Sequence, residues 1–124
     1  MKLDPDRVPA THEDAVQAII AGMCEHDRDV IHQSKVGLAD MHHTVGRYIR
    51  NSWSLWERET ALVQHYIARF GLAHADDLSG LMLEQALCEV RGQAFDIEAK
   101  VRHYLEHWRE QGVDPITLER RDAP

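Results

Sequence analysis

Two short stretches of this sequence carry side chains that could do chemistry. The first, residues 49–56, reads IRNSWSLW and places the guanidinium of Arg50 beside Asn51 and the indoles of Trp53 and Trp56. A guanidinium presents a rigid fork of donors that matches a carboxylate or a phosphate, and indole faces attract cations. This stretch is therefore either a binding site or a corner at which two helices meet.

The second stretch lies at residues 74–79, where His74, Asp76, Asp77 and Ser79 form a dense polar cluster. An enzyme could use His74 as a base that one aspartate orients, with Arg50 nearby. No nucleophile elbow, phosphate loop or metalloprotease motif accompanies the cluster. Aspartates in the first turn of a helix also favour the helix through its free N–H groups and its dipole. The sequence does not decide whether the protein is an enzyme, although it favours a protein without enzymatic activity. It assigns no catalytic residue.

A metal site is the third chemistry to consider, because the chain has nine histidines. His103 and His107 stand four residues apart, and on one helix this spacing can bring two imidazoles to one ion. No H-E-x-x-H motif accompanies them. We expect no bound metal and no cofactor. His103 and His107 are the residues that a test for a metal site would address.

Helices must position all of these side chains, because apolar residues recur at helical spacing and strand-like runs are missing. The predicted class is all-α: a compact single-domain bundle of about five helices with short loops, formed by residues 1–124. Residues 1–10 and 113–124 are expected to be partly ordered tails. The helices are predicted over residues 12–25, 34–50, 55–70, 76–91 and 96–111.

The ends of these helices carry recognisable signals. Thr11-x-x-Asp14 predicts an N-cap for the first helix. Gly71 stands where a C′ glycine would end the third helix. Gly46 lies inside the second helix, where glycine lowers helix propensity by about 1 kcal/mol relative to alanine, and this predicts a close approach by another helix.

Within this architecture, IRNSWSLW is interpreted as the corner between the second and third helices. Asn51 would end the second helix in a left-handed conformation. Ser54 would cap the third helix, since Ser54-Leu55-Trp56-Glu57 fits the S-x-x-E capping box. Trp53 would then fold over the junction, and Trp56 would face the core or a neighbouring helix.

Arg50 is the residue that the corner leaves partly unexplained. We predict that it reaches Asp76 or Asp77 at the start of the fourth helix and so connects the two polar stretches. The alternative is that Arg50 binds an anionic ligand.

The two stretches resemble an uncharacterised bacterial family that is described only as a domain of unknown function. The family pattern G-x-x-I-R-N-x-W-x-L-W corresponds to residues 46–56, and its block F-x-x-x-G-I-x-H-P-D-D-M-S is similar to FGLAHADDLS at residues 70–79. Ala75 stands where the family tends to have proline, and Ser54 where it often has glycine. The resemblance covers about residues 9–91 and implies the fold, but no activity, cofactor or residue role.

The composition indicates where in the cell the protein is expected and which classes of partner its charge disfavours. The net charge of −7 opposes nucleic-acid binding, which depends on neutralising phosphates. No apolar run approaches the ~18 residues of a membrane span, and the first residues do not resemble a signal peptide. We therefore expect a cytoplasmic protein, with Cys24 and Cys88 as reduced, buried thiols.

The function predicted from these features is a small acidic helical protein-interaction module. It would be an immunity-type or phage-encoded inhibitor that binds and blocks a partner with a basic surface, and a homodimer stays open. The alternative is a small anionic-ligand-binding protein, or a minor enzyme, that uses Arg50 with His74, Asp76 and Asp77.

Overall fold

Helices account for all of the regular structure in residues 1–4 and 6–121, the part of the chain that the computed structural model describes. The predicted all-α class is confirmed. Seven helices occur in these residues rather than about five. They are α1 (His12–Ala21), α2 (Glu25–His32), α3 (Leu38–His43), α4 (Val45–Ser52), α5 (Ala61–Phe70), α6 (Ala75–Val90) and α7 (Ile97–Gln111).

The two additional helices come from local hydrogen bonds that the apolar pattern does not reveal. The predicted first helix ends early, and α2 begins separately because Asp27 Oδ2 accepts the backbone N–H of Cys24 at 2.9 Å. The predicted second helix is divided at Thr44, whose backbone has φ −110° and ψ −88°. The Thr44 hydroxyl donates to the Asp40 carbonyl at 2.9 Å, and such back-bonding often bends a helix.

Helix α6 forms the centre of the core. A helix that is apolar on most of its faces is stable only where other helices surround it. Neighbours cover α6 on several sides: α1, α2, α3, α4 and α7 all contact it, and α5 packs against α1. Its fully buried apolar side chains are Leu78, Leu81, Met82, Leu83 and Ala86. Any residue in the first turn of α6 is therefore held by a rigid central element.

A polar network lies inside this apolar core. The His12 side chain is 1% exposed, and Tyr66 is fully buried beside it. His12 Nδ1 lies 2.6 Å from Tyr66 Oη, and His12 Nε2 lies 2.6 Å from Gln85 Oε1. Because an amide oxygen only accepts, Nε2 carries the proton and Nδ1 accepts from the Tyr66 hydroxyl. Burial lowers the pKa of His12, with the Gln85 hydrogen bond opposing the effect, and burial raises the pKa of Tyr66.

Because His12 is buried as a neutral imidazole, we expect the protein to lose stability in mild acid. The folded pKa of His12 lies below the unfolded value of about 6.5, so the unfolded state binds the proton first. The free energy of unfolding should therefore fall as the pH drops below about 6.5. His42, whose pKa is also lowered, adds to the fall in the same direction.

Chemical denaturation of wild type and His12→Leu at a series of pH values measures this effect. The variant should be less stable near neutral pH by about 1–3 kcal/mol, because Tyr66 and Gln85 lose their buried partner. Its free energy of unfolding should also depend less on pH than that of wild type. Equal pH dependence in the two proteins would contradict the assignment.

The segments outside the helices make specific contacts with them. Lys2 N donates to Gly22 O at 2.7 Å, and Ala73 N donates to Pro115 O at 3.2 Å. Beyond α7, Val113 and Arg120 form an isolated antiparallel bridge. Residues 122–124 of the predicted C-terminal tail lie outside the described residues, as does residue 5.

The prediction that both thiols are buried is wrong for Cys24 and holds only in part for Cys88. Cys24 is exposed because α1 ends at Ala21, so this residue caps α2 instead of extending the apolar face of α1. Cys88 is half-buried, and both thiols are free. None of the helices in the described part of the chain has the length and apolar character needed to cross a membrane.

Candidate functional site

Arg50 connects the two polar stretches, as predicted. Its side chain lies near the end of α4 and is buried, with 7% of the residue exposed. Nη1 donates to Ser79 Oγ at 3.0 Å and Nη2 donates to the His42 carbonyl at 3.0 Å. Nε lies 3.4 Å from Asp76 Oδ1, so the partner at the start of α6 is Asp76 and not Asp77. Arg50 thereby joins α3, α4 and α6.

The His42 ring completes the surroundings of the guanidinium. His42 Nδ1 lies 3.3 Å from Arg50 Nη1, and because arginine only donates, this nitrogen accepts. Burial and the positive charge of Arg50 lower the pKa of His42. A neutral imidazole is the form that fits beside the guanidinium.

Gly46 leaves the space in which Arg50 lies. A Cβ at this position would lie 2.8 Å from Arg50 Nη1, 3.2 Å from Leu83 Cδ1 and 3.2 Å from the Met41 carbonyl oxygen. The predicted close approach at this glycine is confirmed, since Leu83 belongs to α6. Gly46 and Arg50 therefore pack as one unit, in which the missing side chain of the glycine leaves room for the guanidinium.

The first turn of α6 uses the polar cluster for its own hydrogen bonds. His74 is the N-cap, and its Nδ1 accepts the backbone N–H of Asp76 at 3.1 Å. Ser79 Oγ donates to the Asp76 carbonyl at 3.1 Å while it accepts from Arg50. The Ser79 hydroxyl is fully buried, and these two hydrogen bonds give it a structural role that joins Arg50 to the start of α6.

Asp77 has a partner that the sequence did not indicate. Trp108 Nε1, on α7, donates to Asp77 Oδ2 at 2.7 Å. Burial raises the pKa of the Asp77 carboxyl, and the hydrogen bond from Trp108 opposes that shift. No local signal in the sequence could name a partner 31 residues away.

The corner between α4 and α5 differs from the prediction. Asn51 lies inside α4 and is exposed, so it does not end the helix. Ser54 is not an N-cap: it has a left-handed backbone with φ +52°, and residues 53–56 form turns. Helix α5 begins at Ala61 instead, where Thr60 caps it by accepting the Val63 N–H at 3.4 Å.

This turn separates the two tryptophans. Trp53 is 2% exposed and belongs to the core, as the corner interpretation required. Trp56 is 58% exposed, so the expectation that it faces the core or a neighbouring helix is wrong. A left-handed conformation costs a residue with a Cβ about 1–2 kcal/mol, and the turn at Ser54 maintains it while Trp56 stays in solvent.

The strain at Ser54 gives a stability prediction. Ser54→Gly should raise the free energy of unfolding by about 0.5–1 kcal/mol, because glycine adopts a positive φ without a steric penalty, partly offset by its greater unfolded-state entropy. Urea denaturation measures the change. Ser52→Gly, within α4, is the matched control and should not stabilise the protein.

Three rings form a partly exposed surface, here called the aromatic face: Trp56, His74 and Trp108. The His74 ring lies close to both indoles, with centroid distances of 5.6 Å to Trp56 and 5.4 Å to Trp108. The Trp56 contact is edge-on, at an interplanar angle of 78°. The face thus combines one residue from each polar stretch with one from α7.

The two candidate metal ligands on α7 contact different aromatic rings. His103 and His107 are both exposed on α7, and their rings lie beside Tyr104 and Trp108 respectively. Within residues 1–4 and 6–121, no three histidine, cysteine, aspartate or glutamate side chains are grouped so that they could hold a metal ion.

Comparison with known protein families identifies one family whose model matches most of the chain. The model of the family described as Domain of unknown function (DUF6794) matches residues 8–89. This segment contains both polar stretches and ends before α7, so Trp108 lies outside it. No curated protein matches the chain. No solved structure matches it either.

Proposed function

We propose that this chain, which belongs to the DUF6794 family of domains of unknown function, is a protein-interaction module that binds a partner through the aromatic face. The observation that carries the proposal is the exposure of Trp56. Tryptophan is enriched among the few residues that supply most of the binding energy in protein interfaces. An indole that is 58% exposed in a domain of this size has a large surface left to bury.

The backbone supports the same proposal. Ser54 keeps a strained, left-handed conformation next to Leu55, which is buried, and Trp56, which is not. Strained backbone persists where the surrounding structure enforces it, and it is concentrated at binding sites. The ring of His74 supports Trp56 from one side, so the indole is oriented before a partner arrives.

The anionic-ligand alternative has less support. Arg50 is 7% exposed, and its three nitrogens already contact Ser79, the His42 carbonyl and Asp76. An anion would have to displace these groups and reach a buried guanidinium. The His74 nitrogen that faces Asp76 also has a structural role, as the N-cap acceptor.

Capture of a partner with matched variants tests the proposal. Tagged wild type, Trp56→Ala and Tyr48→Ala are incubated with extract from the source organism, cross-linked and compared by mass spectrometry. Tyr48 is the matched control, since it is 43% exposed but lies outside the aromatic face. Wild type and Tyr48→Ala should retain one partner stoichiometrically, and Trp56→Ala should bind it about 30-fold more weakly.

Two results would count against this function. One is equal retention of the partner by Trp56→Ala; the other is a clean monomer with no partner in any extract. An inhibitory role is the finer proposal, and it requires that the activity of the captured partner fall on stoichiometric addition of wild type. A homodimer would appear as self-association that Trp56→Ala weakens.

A further inference from the structure

The exposed indole of Trp56 is suited to a cation. A guanidinium or ammonium group over a tryptophan face is attracted by the electron-rich ring, and tryptophan is the best aromatic partner for this contact. One edge of the contact region is already fixed, because His74 lies against Trp56. The remaining exposed surface of the indole is open to a ligand.

Asp76 supplies an acceptor next to the same histidine. Its Oδ1 lies 3.4 Å from Arg50 Nε, while Oδ2 lies 4.0 Å from His74 Nδ1. That nitrogen accepts the Asp76 N–H, so it has no proton to donate to Oδ2. Within the described residues no group donates a hydrogen bond to Asp76 Oδ2, and 47% of the side chain is exposed. Half of this carboxylate is therefore available to a cationic ligand.

The charges around the face favour the same kind of ligand. Glu57 and Glu59 are exposed and follow Trp56 directly, with Arg58 between them, so this segment carries one net negative charge. The positive charge of Arg50 is buried and already paired with Asp76. The chain as a whole has a net charge of −7, which attracts basic partners over a distance.

We infer that the aromatic face accepts an arginine side chain from a basic segment of a partner protein. The guanidinium plane lies over Trp56, and its N–H groups donate to Asp76 Oδ2. Arginine fits better than lysine because its planar group can stack on an indole and still donate in its own plane. This inference rests on the proposed function, since it names the partner chemistry of the same face.

A titration followed by NMR tests the inference with defined probes. The probe is an acetylated and amidated peptide of alternating arginine and glycine; lysine and glutamine versions of the same peptide are the comparison. The chain has three tryptophans, so three indole N–H resonances report separately. With the arginine peptide, the Trp56 resonance should move most and that of the buried Trp53 least.

The matched variants are Asp76→Asn and Asp29→Asn, which remove the same charge. Asparagine at position 76 can still accept from Arg50, and Asp29 is an exposed residue of α2 outside the face. The arginine peptide should bind wild type about 10-fold more tightly than the glutamine peptide. Asp76→Asn should weaken it about threefold or more, and Asp29→Asn less than about twofold.

The outcomes separate the inference from the proposed function. Equal shifts of the Trp56 resonance with the arginine and glutamine peptides, or no shift with either, would overturn the arginine assignment. So would equal binding of the lysine peptide, or equal weakening by the two asparagine variants. The capture experiment with Trp56→Ala decides independently whether the face binds a partner at all, because it does not depend on the charge of that partner.

Discussion

Trp53→Ala is expected to lower the free energy of unfolding by about 3–5 kcal/mol. The indole is 2% exposed and packs in the core at the corner between α4 and α5. Truncation removes a large buried apolar area and leaves a cavity that the surrounding helices can fill only partly. This is one of the two largest effects that we expect from a single substitution.

Trp56→Ala is the matched control, because the same residue type stands three positions later. This indole is 58% exposed and loses mainly its edge-on contact with His74. We expect a change of less than about 1 kcal/mol. Thermal and urea denaturation followed by circular dichroism measure both variants. Equal destabilisation by the two substitutions would contradict the assignment of Trp53 to the core and Trp56 to a binding surface.

Arg50→Met is expected to lower the free energy of unfolding by about 2–4 kcal/mol. Methionine keeps much of the length of the side chain but leaves Ser79 Oγ and the His42 carbonyl without their donor, and each buried unsatisfied group costs about 1–3 kcal/mol. The ion pair with Asp76 contributes little, because that carboxylate is 47% exposed and water screens it.

Two further variants separate the contribution of the ion pair with Asp76 from that of the buried hydrogen bonds. Asp76→Asn should change stability by less than about 1 kcal/mol. Arg50→Lys should lie between wild type and Arg50→Met, because a single ammonium group cannot reach acceptors on α3 and α6 together. Urea denaturation of the four proteins measures the series. A stable, fully folded Arg50→Met that had lost affinity for an anion would instead favour the ligand-binding alternative.

The sequence was informative where a short pattern has one physical solution. Thr11 caps α1 by accepting the Asp14 N–H at 3.1 Å, as the spacing predicted. Gly71 ends α5 with φ +70°, because few other residues adopt that conformation without strain. The contact between Arg50 and the start of α6 was also predictable, since a buried guanidinium needs acceptors and the aspartates follow in the second stretch.

The same reasoning failed where two patterns fit the same residues. Ser54 begins an S-x-x-E sequence, yet the backbone turns left-handed there and Thr60 caps the next helix. The apolar spacing of residues 34–50 fits one long helix, yet the Thr44 hydroxyl bonds to Asp40 and divides it. In each case a competing side-chain hydrogen bond or backbone conformation decided the result, and the apolar pattern does not encode it.

The amino-acid sequence by itself determined the all-α class, the family and the helix ends at Thr11 and Gly71, because these depend on periodicity and on contacts a few residues apart. Only the tertiary structure decided that Trp53 is buried and Trp56 is exposed, because the local sequence pattern allows either indole to face the core. It also decided that Trp108 bonds to Asp77, which requires α7 to pack against α6. The aromatic face depends on this long-range packing, so it could not be predicted from local sequence.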